Sequence, residues 1–280
     1  MNEDVRRSRH LISRRRALSL GGTVSLGALV AACTNEPAPA AAPAATAAAP
    51  LTPSTTAAAD VLALLNQANT CALAKEETQG PYWFDVDQIR SDLREDRPGT
   101  PLVLAVRAHD LSACSTGAAP TPIPNSVVEI WHCDAGGEYS GFESGSPGRG
   151  GGETSDGSYS SGDTEASTTD DGTYLRGAQV ADRNGVVQFT TVYPGWYRGR
   201  TVHIHLKLHV NRRTVVTTQL YFDEAVNDAV FATSPYDERS GRETRNSDDS
   251  IFDESGLVTV RKTGTGYLAA SNLGVNASTA

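Results

Sequence analysis

Residues 193–210 read Tyr193-Pro194-Gly195-Trp196-Tyr197-Arg198-Gly199-Arg200-Thr201-Val202-His203-Ile204-His205-Leu206-Lys207-Leu208-His209-Val210. From Thr201 the chain alternates. Val202, Ile204, Leu206 and Leu208 fall on one side, and His203, His205, Lys207 and His209 on the other. That is the period of a β-strand with one apolar face. Pro194-Gly195 ahead of it is a turn signal. Working outward, 214–222, 186–192, 127–131 and 102–108 show the same period or short apolar runs, and 257–260 and 267–273 supply final strands. Asn184-Gly185, between two β runs, reads as a hairpin turn. Helical pattern is scarce. Asp60 reads as the N-cap of a short helix over 61–68, with Val61, Leu64, Leu65 and Ala68 on one face, and Asp223 as the cap of another over 224–232. Many strands with few helices predict an all-β fold, an antiparallel β-sandwich with a short N-terminal helix and long loops.

The chain has 280 residues, of which 39% are apolar and 20% charged. That is enough for a core and excludes general disorder. A formal net charge of −9 argues against a nucleic-acid partner. Residues 1–32 read as an export signal: six arginines between Arg6 and Arg16, an apolar run over 17–32, then small residues before Cys33. Arg14-Arg15-Arg16 resembles a twin-arginine signature, and Val30-Ala31-Ala32-Cys33 a bacterial lipobox. The expectation is an exported protein, anchored to the outer face of the cell membrane through lipid on Cys33, or secreted. Loss of residues 1–32, with six arginines and two acids, removes a net +4 and leaves −13. Residues 33–59 are nearly all Ala, Pro, Thr and Ser and read as a tether, which leaves 60–280 as one folded domain. Residues 143–173, rich in Gly, Ser, Asp and Thr, read as a long surface loop. In an oxidising compartment Cys71, Cys114 and Cys133 predict one disulfide, with Cys71–Cys133 favoured.

His203 and His205 sit at i and i+2, so their imidazoles share a face and can converge on one ion. A tyrosine and an arginine, Tyr197 and Arg200, lie within six residues of His203. A second strand, Val128-Glu129-Ile130-Trp131, also runs into a glycine turn and then a tyrosine, Tyr139. His209 continues the register, and His132 and His109 read as structural.

These residues resemble the intradiol ring-cleavage dioxygenases, and the resemblance runs from about Glu77 to Phe222. Its carriers are Tyr139 after a strand and glycine turn, Pro194-Gly195-Trp196-Tyr197, the Arg-x-x-His-x-His element from Arg200 to His205, Thr218-Gln219-Leu220-Tyr221-Phe222, and Glu77-Thr78-Gln79-Gly80-Pro81-Tyr82. The resemblance implies a mononuclear non-haem iron(III) held by Tyr139, Tyr197, His203 and His205, with Tyr197 and His205 axial. It implies a small-molecule catechol and O2 as reactants, ring cleavage between the two hydroxylated carbons, and a cis,cis-muconate-type product. Tyr197 would accept a substrate proton, and Arg200 and Gln219 would stabilise charge on the ring. The donor types suit a hard, highly charged ion, because phenols deprotonate readily on a metal. Tyr174, Arg176, Tyr193, Trp196, Tyr221 and Tyr236 read as packing or support.

Two departures from the family pattern bear on specificity. The Tyr197-to-His203 connection is short, and the helical dimerisation region of the catechol-specific branch is missing. Substrate and oligomeric state therefore do not carry over. What remains resembles an exported, single-chain branch of the family. The rival readings are a cupin, which adds a glutamate soon after its HxH pair where Leu206-Lys207-Leu208 stand here, and a non-catalytic β-sandwich binding lipoprotein.

Overall fold

The computed structural model describes residues 55–68, 72–112, 114, 119–143, 151–153 and 164–276. In chain order the elements are α1 (Thr55–Leu65), β1 (Pro101–Asp110), β2 (Thr121–Pro122), β3 (Val127–Trp131), β4 (Gly151–Glu153), β5 (Thr164–Ala166), β6 (Arg176–Val180), β7 (Val186–Val192), β8 (His203–Val210), β9 (Arg213–Tyr221), α2 (Glu224–Phe231), β10 (Thr259–Lys262) and β11 (Tyr267–Val275). All described residues belong to one unit, Thr52–Ala280. The export signal and Cys33 lie outside the described residues.

Two sheets make the sandwich. One runs β6-β3-β8-β9, antiparallel throughout. The other runs β10-β11-β1, with β7 and β2 both pairing antiparallel to β1. Its central pair, β1 with β11, is parallel, so this sheet is mixed. The core between the sheets takes the even-numbered residues of β8, Ile204, Leu206 and Leu208. It adds Val128 and Ile130 of β3, Leu102, Leu104 and Val106 of β1, and Phe189 of β7. The hydrophobic effect is satisfied there, about 2 kcal/mol for each such side chain removed from water.

The opposite face of β8 is buried as well. Its alternation predicts one solvated side, but the chain folds back over it. Residues 77–85 cross that face as a strap, tied by Glu77 N–H to Thr217 O (2.8 Å) and by Ala166 N–H to Trp83 O (2.7 Å).

Four sequence expectations give way. The first helix begins at Thr55, so Asp60 is interior to it and caps nothing. The alanines assigned to the tether are good helix formers, and Val61, Leu64 and Leu65 have Ala105, Leu268 and Ala270 to bury against. Asn184-Gly185 does not close a hairpin. Its turn, with Asp182 accepting from Asn184 N and Val186 N, carries the chain from β6 in one sheet to β7 in the other. A two-residue hairpin instead joins β8 to β9, where Asn211 and Arg212 both have positive φ, 52° and 65°, matching strand twist. The 143–173 stretch is not wholly loop, because β4 and β5 pair within it. Finally, Cys133 is a free thiol. It is buried among Trp83, Trp131, Tyr139 and Phe142 and aimed at Gly195 O, 3.4 Å away, so the Cys71–Cys133 bridge does not form. Cys71 lies outside the described residues. The helix over Glu224–Phe231 matches expectation, with the Asp223 side chain accepting from Ala225 N.

Candidate functional site

The two tyrosines reach one point because two turns interlock. A Cβ on Gly195 would stand 2.5 Å from the carbonyl oxygens of both Asp134 and Ala135. One on Gly137, at φ +87°, would stand 2.5 Å from Trp196 O. Only glycine permits this approach. Gly195 N–H donates to Asp134 O (3.0 Å), and Asp134 Oδ1 accepts from Gly136 N and Glu138 N. The turn ahead of Tyr139 is thus locked to the turn ahead of Tyr197.

Their phenol oxygens lie 3.5 Å apart. His203 Nε2 is 3.3 Å from Tyr139 Oη, 3.1 Å from Tyr197 Oη and 3.1 Å from His205 Nε2. All four expected ligands therefore converge. His203 Nδ1–H donates to Thr201 O (2.7 Å), which leaves Nε2 with its lone pair directed at the cluster. This is the arrangement in which a ligating imidazole is oriented by its other nitrogen. A single N–H···N contact can serve one pair of these atoms, whereas a cation among them serves all four. The donor set, two imidazoles and two phenols, fits iron(III). Among the described residues no group of three or more His, Cys, Asp or Glu side chains gathers elsewhere for a metal.

Burial drives the electrostatics. It pushes the His203 imidazole down to about 3, with the Arg200 charge adding to the effect. It holds His205 well below its ordinary value, helped by His203. It raises the Tyr139 phenol well above 10, with Tyr197 beside it, and raises Tyr197 too. In the protein alone the cluster is two neutral imidazoles and two phenols, and a bound cation inverts that preference for the phenols.

The tyrosines differ in setting. Tyr139 is 3% exposed and stacked by Tyr82, ring centroids 4.3 Å apart and 8° from parallel. Tyr197 lies in the loop between β7 and β8 and is partly exposed. His205 is stacked by Trp131 (4.9 Å, 2°), its cross-strand neighbour. On its other side a Cβ at Gly80 would come within 3.4 Å of its Cε1.

Arg200 and Gln219 are placed together. Arg200 Nη2 donates to Gln219 Oε1, and Gln219 Nε2 donates to Thr78 O (3.0 Å). Arg200 Nε donates to Asp249 Oδ2 (2.9 Å), which also accepts from Thr201 N (2.9 Å). Burial alone would raise the Asp249 carboxyl, but the N–H groups of Ile251 and Thr201 and the Arg200 charge hold it low. The sequence reading missed Asp249, since one acid in a polar stretch carries no signal. It also missed the stacking roles of Tyr82 and Trp131, although both lie within the stretches that carry the resemblance. His209 joins Glu129 (3.3 Å), away from the cluster. His132 bonds Cys133 O and Thr191 Oγ1 and is structural, as expected. Tyr193 and Tyr236 pack in the main core, and Tyr221 Oη donates to Glu77 Oε2 (2.7 Å).

No protein-family model and no curated protein matches the chain. Solved structures do. An intradiol ring-cleavage dioxygenase from Tetranychus urticae is 31% identical, with a TM-score of 0.62, over 74% of this chain and 95% of that one. The dioxygenase domain of a dioxygenase–carbohydrate-binding protein fusion from Streptomyces sp. SirexAA-E is 26% identical, with a TM-score of 0.50, over 73% of this chain and 99% of that one. With this likeness added to the fold and the converging side chains, the chain belongs to the intradiol ring-cleavage dioxygenases, a family of oxidoreductases.

Proposed function

We propose that Tyr139, Tyr197, His203 and His205 hold a mononuclear iron(III), at which a catechol-type ring is opened by O2 between its two hydroxylated carbons. The observation that carries this reading is the convergence of both phenol oxygens and His205 Nε2 within 3.3 Å of His203 Nε2. Iron(III) held by these four residues would supply a hard Lewis acid for the oxygens of a catechol.

The side chains divide the remaining work. Tyr139, clamped under Tyr82, is the fixed ligand. Tyr197 is the more exposed of the two, and its Oη is the base that takes a proton from a substrate hydroxyl. Arg200, aimed by Asp249 and Gln219, places a positive charge where the ring becomes electron-rich. The neutral histidines hold their lone pairs without competing for that proton. Catechol and O2 together carry the atoms of the diacid product: one ring C–C bond breaks, both oxygen atoms are retained, and a cis,cis-muconate results.

The test is O2 uptake by iron-loaded protein with catechol, protocatechuate and hydroxyquinol, run under labelled O2. One O2 per ring and two labelled oxygens in the diacid are expected. No uptake with any catechol overturns the reading. We also propose export and lipid anchoring, on the strength of Arg14-Arg15-Arg16 and the Ala31-Ala32-Cys33 run. Labelled palmitate should enter the protein and not its Cys33→Ser variant. Equal labelling removes the anchor.

A further inference from the structure

Behind the cluster the outward face of β8 continues with Lys207 and His209, each 1% exposed. Glu129 of β3 stands directly across from Lys207 in the ladder and is 2% exposed. Its carboxylate is a hub. Oε1 accepts from Trp83 Nε1–H at 2.9 Å, and Oε2 lies 3.3 Å from His209 Nε2. Thr214 Oγ1 contacts His209 Nδ1 at 3.2 Å, a hydroxyl donor that orients the ring with Nε2–H toward Glu129. The Lys207 ammonium lies 3.4 Å from the centroid of the Trp83 ring. The proposed chemistry uses none of these side chains.

Burying a carboxylate and an ammonium costs several kcal/mol of desolvation, so such groups are weak devices for stability and better ones for fixing geometry. The geometry at stake is Trp83. It is the fully buried residue of the 77–85 strap. Its neighbour Tyr82 stacks on Tyr139, and Gly80, three residues back, lies against His205. Trp83 also packs on Trp131 (6.5 Å between centroids), which stacks on His205. The strap belongs to no strand. It is tied at its start by Thr217 O, Gln219 and Tyr221, and Trp83 is its fully buried anchor further along.

We propose that Glu129 is a positioning residue. Charge-assisted acceptance of the Trp83 indole N–H seats the strap, and the strap holds Tyr82 and Gly80 against Tyr139 and His205. The proposal rests on reading that cluster as the reaction site. Glu129→Gln keeps the shape and removes the charge. Trp83→Phe keeps a ring and removes the N–H.

Hydrogen–deuterium exchange on the full chain, well below the unfolding temperature, reads the strap directly. Each variant should quicken exchange across 77–85 by about tenfold, the worth of one hydrogen bond to a charged group. The double variant should add little to either single one, and the rest of the chain should stay protected. The KM for catechol should rise by about the same factor, with kcat less affected. Unchanged exchange at 77–85 overturns the proposal. So does a uniform increase that tracks a lower unfolding temperature, since that would make Glu129 merely structural. If Glu129→Gln fails to fold, Trp83→Phe alone decides. Exchange needs neither metal nor turnover, so wild-type protein inert toward every catechol would sink the functional reading and leave this test standing.

Discussion

Tyr139 and Tyr197 are the same residue type on the same cluster in different settings. The first is clamped by Tyr82, and the second is partly open. If Tyr197 takes the substrate proton as proposed, Tyr197→Phe should lower kcat by about 10² to 10⁴. It should also weaken the visible tyrosinate-to-iron band in loaded protein. Stopped-flow absorbance and O2 uptake check both, and full activity in the variant would unseat Tyr197 from its role. Asp249→Asn keeps the contact with Thr201 and gives up the charge that aims Arg200. We expect kcat/KM to fall by roughly tenfold or more, the loss of a charged hydrogen bond, with the fold retained by circular dichroism. Wild-type kinetics would show that Arg200 aims itself. The four converging residues were legible in the sequence, because period two puts His203 and His205 on one face and a glycine turn precedes each tyrosine. Asp249 was not, since it lies 44 residues beyond His205 and its contact with Arg200 exists only after folding.

At the scale of elements, the site depends on turns more than on strands. Gly195 and Gly137 let two turns from different parts of the chain pass within backbone contact. Gly195→Ala would drive a methyl into two carbonyl oxygens that have nowhere to go. Overpacking of this kind costs about 1–3 kcal/mol, and here it would also part Tyr197 from Tyr139. A lowered urea midpoint together with lost activity is the expected outcome, and a variant with normal activity would show that the turns can yield. The strands of the two sheets followed from alternation and apolar runs. β6, the two-residue β2 and the short β4–β5 pair did not, since very short, polar or glycine-rich strands have no such pattern. The Asn184-Gly185 turn was misplaced for a related reason. A turn's chemistry states how tightly the chain reverses, and only the pairing of the flanking strands states whether it stays in one sheet.

For the molecule as a whole, His132 ties the sheets together. It follows β3 and bonds Thr191 of β7, across the sandwich. Burial pushes its imidazole down to about 4, against an ordinary value near 6.5. Below pH 6.5 the unfolded chain takes up a proton there that the folded chain refuses. Its contribution is therefore complete above pH 6.5 and is lost as pH falls toward 4, on the order of 3 kcal/mol over the full window. Thermal unfolding between pH 7 and 4 should show this loss in the wild type and a shallower one in His132→Asn. Equal slopes would mean that the ring is not held neutral.

The sequence by itself determined the all-β architecture, the strand that carries both histidines and the types of the four converging side chains. Periodicity and turn chemistry are local, and they act over a few residues whatever the rest of the chain does. Only the tertiary structure decided that the polar face of β8 is buried, that Cys133 is a thiol and that Glu129 meets the Trp83 indole. Each of these depends on segments far apart in sequence meeting in space. Which face water reaches is settled by what folds over it.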